Sequence, residues 1–126
     1  MKPVVVVAIL VAGIVGPSVS AHHSFAAFDN AKNVTLMGTV KELQWTNPHI
    51  FLQILVTDAN GRVEEWSLES VSVGTARRLG WKPDILKTGD QVTAYLHPLR
   101  DESNGKGGSL TAVVLPNGQV LGQIPK

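Results

Sequence analysis

From Thr35 onward the chain alternates apolar and polar residues with the two-residue period of half-buried strands. Leu36, Gly38 and Val40 alternate with Met37, Thr39 and Lys41, and then Leu43 and Trp45 take over the apolar role. That change of parity near Lys41-Glu42 predicts a bulge, and Gly38 permits a sharp bend in the same strand. Thr46-Asn47-Pro48-His49 reads as a tight turn into a second strand, where Ile50, Leu52, Ile54 and Val56 share one face. Asp58-Ala59-Asn60-Gly61 is a hairpin loop, its Asn-Gly supplying the positive φ angles such loops need. A third strand, Arg62 to Glu69, holds Trp66 and Leu68, and the position of Trp66 within it predicts a core residue.

The period then changes. Ser72 can cap a helix over Val73, Ala76 and Arg77, with Leu79-Gly80 closing it after about two turns and Pro83 preventing its return. Leu86-Lys87-Thr88-Gly89-Asp90 turns into a fourth strand, in which Val92, Ala94 and Leu96 alternate with Thr93, Tyr95 and His97. Arg100 to Gly108 reads as a polar, glycine-rich loop. Ser109 to Leu115 is a fifth strand, and Pro116-Asn117-Gly118 turns the chain into a short last one, Gln119 to Ile124. Three strands, a short helix, then two or three strands, with a bent glycine-bearing first strand, are the requirements of a small OB-like Greek-key barrel. The fold expected is therefore mainly β, a five- to six-stranded barrel with one short helix between strands three and four; a split β-sandwich is the main rival.

The amino-terminal region has a different pattern. Met1-Lys2 gives a positive start, Val4 to Val15 is apolar and uncharged, Pro17 breaks it, and Val19-Ser20-Ala21 offers small residues for cleavage. Spanning a bilayer takes about 20 apolar residues, more than this run provides. Residues 1–21 are thus expected to be a cleaved signal peptide, residues 22–34 a lead-in, and residues 35–126 a single barrel domain with no membrane anchor. The mature protein would then be periplasmic or secreted, and it would begin at His22-His23, two of the four histidines in the chain.

Composition narrows the chemistry. Loss of Lys2 with the leader leaves ten basic and ten acidic residues, with no basic patch of the kind nucleic acid requires. There is no cysteine, so thiolate metal sites, thiol nucleophiles and disulfides are excluded. Met37 would be the single methionine of the processed chain, which removes a methionine-rich copper(I) site. Transition-metal chemistry here must rest on imidazole, amine and carboxylate.

Several short strings resemble a known family: His22-His23-Ser24-Phe25, Trp45-Thr46-Asn47-Pro48-His49, Gly80-Trp81, Leu86-Lys87-Thr88-Gly89-Asp90 and His97-Pro98-Leu99-Arg100-Asp101. Together they are similar to the small exported bacterial proteins grouped as domain of unknown function 6152, over His22 to about Leu121. Where such relatives often have glycine after Arg-Asp, this chain has Glu102. The resemblance implies export and a compact β domain, and it carries no activity.

The histidines offer the sharpest chemistry. A terminal amine has a pKa of about 7.7–8, so copper(II) can displace its proton near neutral pH. His22 would then chelate through its amine and Nδ1, with a further imidazole completing a histidine brace. The competing mode uses His23 with the amine and the intervening amide nitrogen. Ligand type favours copper(II), with zinc(II) second. His97 and His49 are the candidate remote ligands. The antiparallel order of strands one, two and four places them at opposite ends of the barrel, and His97 is preferred because Asp101 and Glu102 lie close in sequence. Each histidine also has a plain structural role open to it: a tail residue, a turn residue or a strand residue.

The function expected is binding of a divalent transition metal, most readily copper(II), through the mature amino-terminal histidines. The alternative is a metal-free periplasmic module that binds a small molecule or protein partner. Its aromatic patch would need Phe51 and Tyr95, whose parity is opposite to that of the core residues. No catalytic constellation stands out. Ser24 lacks a nucleophile-elbow glycine pattern, and Glu64, Glu65 and Glu69, which could be proposed as an acid/base set, read as solvated edges because Glu64 and Glu65 point to opposite faces of a strand.

Overall fold

A computed structural model describes residues 27–126. The leader read over residues 1–21, and the paired His22 and His23, lie outside the described residues. From Val34 onward the described residues form, in chain order, β1 (Val34–Gln44), β2 (Phe51–Thr57), β3 (Val63–Glu69), α1 (Val73–Arg78), β4 (Gln91–Pro98), β5 (Lys106–Val114) and β6 (Val120–Gly122). No helix among the described residues is long and apolar enough to cross a membrane.

β1 serves two neighbours. Its first half, Val34 to Thr39, pairs antiparallel with β4, and its second half, Thr39 to Gln44, pairs antiparallel with β2. Gly38 lies next to Thr39, where the two pairings meet, and a Cβ on it would stand 2.8 Å from the Leu55 carbonyl oxygen. A register shift between Val40 and Glu42 is the bulge that the change of parity predicts. β2 and β3 form the hairpin closed by Asp58–Gly61, with Gly61 at a φ of 78°.

The ring then closes. β5 runs antiparallel to β4 and its first residues pair parallel with the end of β3, giving a five-stranded barrel; β6 adds to the remaining length of β5. Ile50, Leu52, Ile54, Leu68, Leu96, Val40 and Val113 are almost wholly buried inside it. Each such side chain contributes about 1.5–3 kcal/mol of transfer free energy. Trp66 is buried, as its place in the strand predicts.

The largest boundary difference from the sequence reading is at the start of β5, and β6 is shorter than read, Val120–Gly122 rather than Gln119 to Ile124. Lys106, Gly107 and Gly108 belong to β5 rather than to the preceding loop. Glycines read as loop composition, but here they permit contact. A Cβ on Gly107 would stand 2.6 Å from the Ser67 oxygen of β3, and one on Gly108 would stand 2.5 Å from the His97 oxygen of β4. Two strands can approach β5 this closely only where it carries no side chain.

α1 is a short plug between β3 and β4. The Ser72 hydroxyl accepts from the Thr75 amide at 3.3 Å, and Ala76 faces the core. Gly80, at a φ of 91°, ends the helix while the Trp81 amide donates back to the Ala76 oxygen at 2.9 Å.

Candidate functional site at the barrel end

The Trp45–His49 string is built to hold its histidine. The Thr46 hydroxyl donates to the His49 carbonyl oxygen at 3.0 Å, and the Asn47 side-chain oxygen accepts from the Val73 amide at 3.1 Å. This anchors the turn to the start of α1. The Ile50 amide then donates to Val71 and the Ser70 amide to Ile50, extending the β2–β3 ladder beyond the named strands. His49 is therefore fixed beside the end of β3, and its Nδ1 lies 2.6 Å from Glu69 Oε1.

His97 is held from the other side. Its Nδ1 lies 2.8 Å from the Lys32 carbonyl oxygen. The described part of the lead-in is itself fastened to the end of β4: the Arg100 amide donates to Ala27, the Asp29 amide donates to Pro98, and Phe28 bridges Leu99. Asp29 is partly desolvated, but the Ala31 amide, Lys32 and Arg100 outweigh that and keep its carboxyl below the ordinary range.

A carbonyl and an ionised carboxylate can only accept, so each of these contacts requires the proton on Nδ1. The Nε2 of each neutral ring then keeps its lone pair. Metal-binding histidines show this same arrangement, with the other ring nitrogen donated to a carbonyl or a carboxylate.

The expectation that His49 and His97 sit at opposite ends of the barrel is not met. Both line one cavity, together with Phe28, Asn30, Glu69 and Ser109. The reason lies in the closure. Along β1 the two histidines are far apart, because β4 pairs with its start and β2 with its end. On the other side of the ring, Ser109 pairs with both Glu69 and His97, and Glu69 pairs with Phe51 two residues beyond His49. The β3–β5 pairing thus joins the start of β2 to the end of β4.

Asp101 and Glu102 do not take the supporting role that their sequence position offered. The ring nitrogen of His97 is bonded to Lys32. Asp101 accepts from the Ser103 amide at 2.9 Å, and the amide and hydroxyl of Ser103 lower its pKa. Glu102 lies 4.0 Å from the Lys106 ammonium. Glu69, read from the sequence as a solvated edge, is the carboxylate beside His49, and hairpin register could have found that placement. The Asp58–Gly61 loop sets Thr57 opposite Val63, and counting back sets Phe51 opposite Glu69.

Phe51 and Tyr95 have the outward parity and are half-buried. Their partners on β1 are Gln44 and Thr35, at its two ends, and neither residue lines the histidine cavity. A second cavity shares His97, Ser70 and Val71 with the first and is bordered by Trp81, Leu79, Val120 and Ile124. Among the described residues, no three histidine, aspartate or glutamate side chains are grouped closely enough to hold a metal ion by themselves.

No curated protein and no solved structure matches the chain. A sequence profile for a family of unknown function matches residues 10–109, beginning in the apolar run and ending at Ser109, the β5 residue that pairs with both Glu69 and His97. By that match over most of its length, the chain belongs to the family of unknown function DUF6152.

Proposed function

We propose that this is an exported copper(II)-binding protein whose processed amino terminus meets the barrel histidines. The observation that carries the reading is that His49 and His97 border one cavity, with Phe28 and Asn30 of the lead-in also in its wall. From Ala27, five residues of chain lead back to His22, a reach of at most about 18 Å. The terminal amine and Nδ1 of His22 would supply two nitrogen ligands, and Nε2 of a barrel histidine a third. His23 with the intervening amide is the competing mode. The donor set has no sulfur, which favours copper(II) over copper(I), and the Irving–Williams order places copper(II) above zinc(II) at nitrogen ligands.

Processing is part of the proposal, because the amine exists as a ligand only after cleavage between Ala21 and His22. The test is a copper(II) titration of the exported protein, with its intact mass measured alongside. A mass starting at His22 and stoichiometric binding through nitrogen ligands are expected. Adding one residue before His22 should abolish tight binding. Full affinity in that extended protein, or a mature chain cut beyond His23, would contradict the proposal.

A further inference from the structure

We infer that Glu69 is a positioning residue for His49, fixing the ring in its Nδ1–H form so that Nε2 is the nitrogen offered to a divalent metal. The inference rests on the copper-binding reading for the identity of the ligand, and on the geometry for the tautomer.

Glu69 is well placed to impose an orientation. It ends β3, which is hydrogen-bonded on both sides, and its own neighbours are Phe51 on β2 and Ser109 on β5. Its side chain is 20% exposed and that of His49 is 39% exposed, so the pair sits at the rim of the cavity. The His49 backbone is held independently, by the Thr46 hydroxyl on its carbonyl and by the Ile50 amide on Val71. Ordering both groups before a metal arrives removes part of the entropic cost of binding. The carboxylate also increases the electron density at Nε2 through the shared proton, which strengthens the ring as a ligand for a dication.

An alternative role is a simple ion pair that ties the turn to β3. The two roles differ in which form of the ring matters. An ion pair needs a charged His49 and vanishes when the ring loses its proton. A positioning contact persists in the neutral ring, as an Nδ1–H tautomer, whereas free histidine side chains favour Nε2–H. His97 provides an internal comparison, since its Nδ1 partner is the Lys32 backbone oxygen, which no side-chain substitution removes.

The experiment uses the full processed chain. Nitrogen-15 NMR of the metal-free protein at pH 8 should show His49 as Nδ1–H, and Glu69→Ala should shift it toward Nε2–H while His97 stays unchanged. Copper(II) affinity should fall about 10–100-fold in Glu69→Ala, and less in Glu69→Gln, whose amide oxygen can still accept. Melting curves at the same pH show whether each variant is folded. His49 found as Nε2–H in the unmodified protein, or undiminished copper affinity in a folded Glu69→Ala, would overturn the inference. If the unmodified protein binds no copper, the copper reading fails, while the NMR result still decides the tautomer assignment.

Discussion

Gly107 of β5 lies so close to Ser67 of β3 that a methyl group on it would stand 2.6 Å from the Ser67 carbonyl oxygen. Backbone oxygen cannot move aside as a flexible side chain can, so one of the two strands would have to shift. Because β3–β5 is the pairing that closes the barrel, the effect should be global. Gly107→Ala is expected to destabilise the fold by about 1–3 kcal/mol, in the range of overpacked cores. Gly74, exposed in α1 and 3.8 Å from the nearest Arg78 atom, is the contrast. Gly74→Ala should stabilise by about 0.5–1 kcal/mol through helix propensity. Urea unfolding of the two variants checks both signs, and a Gly107→Ala protein as stable as the original would refute the close approach.

Trp66 provides a second test of the core. It is 7% exposed, its Nε1 is buried without a partner, and the Lys106 ammonium lies 5.3 Å from its ring. Its value to the fold is therefore apolar burial, supplemented by the cation over the ring. Trp66→Ala should cost about 3–5 kcal/mol. An unchanged thermal melt would place the indole outside the core.

The lead-in should respond to acid. The Asp29 carboxyl is held below its ordinary value of 3.8, despite partial desolvation, by the Ala31 amide, Lys32 and Arg100. A depressed carboxylate contributes stability that is fully present above the unfolded value and is lost as pH falls through the folded one. The contribution of Asp29 should therefore persist above about pH 4 and disappear at lower pH. Asp29→Asn should flatten this part of the stability profile and leave the neutral region shaped as before. Equal slopes for the two proteins below pH 4, measured by urea midpoints, would contradict the assignment.

Much of the fold was legible because its signals are local. The two-residue period marked the strands, Asn60-Gly61 marked the hairpin, and Ser72 and Gly80 bracketed α1 within a residue. The bulge after Val40 was visible as a change of parity. The closure was not visible in this way. Trp66 and Lys106 are forty residues apart, and a parallel pairing at that separation leaves no local periodicity. Gly107 and Gly108 read as loop because glycine has the same composition signal in a flexible segment and at a close contact. The site inherited that omission: without the β3–β5 pairing His49 and His97 lie at opposite ends of β1, and Glu69 resembles any solvated strand end. The individual histidines could nonetheless be singled out as candidates, because a chain without cysteine has few other transition-metal ligands to offer.

The central claim is that the barrel, and not the terminal dipeptide alone, makes the copper site. It is tested most directly by comparing copper(II) affinity of the processed protein with that of a free peptide carrying residues 22–26. A barrel imidazole joining the terminal ligands predicts binding at least about tenfold tighter in the protein, equivalent to about 1.4 kcal/mol. That advantage should disappear in a His49→Ala, His97→Ala double variant that still folds. Equal affinities for protein and peptide would show that the fold contributes no ligand, and would contradict the account.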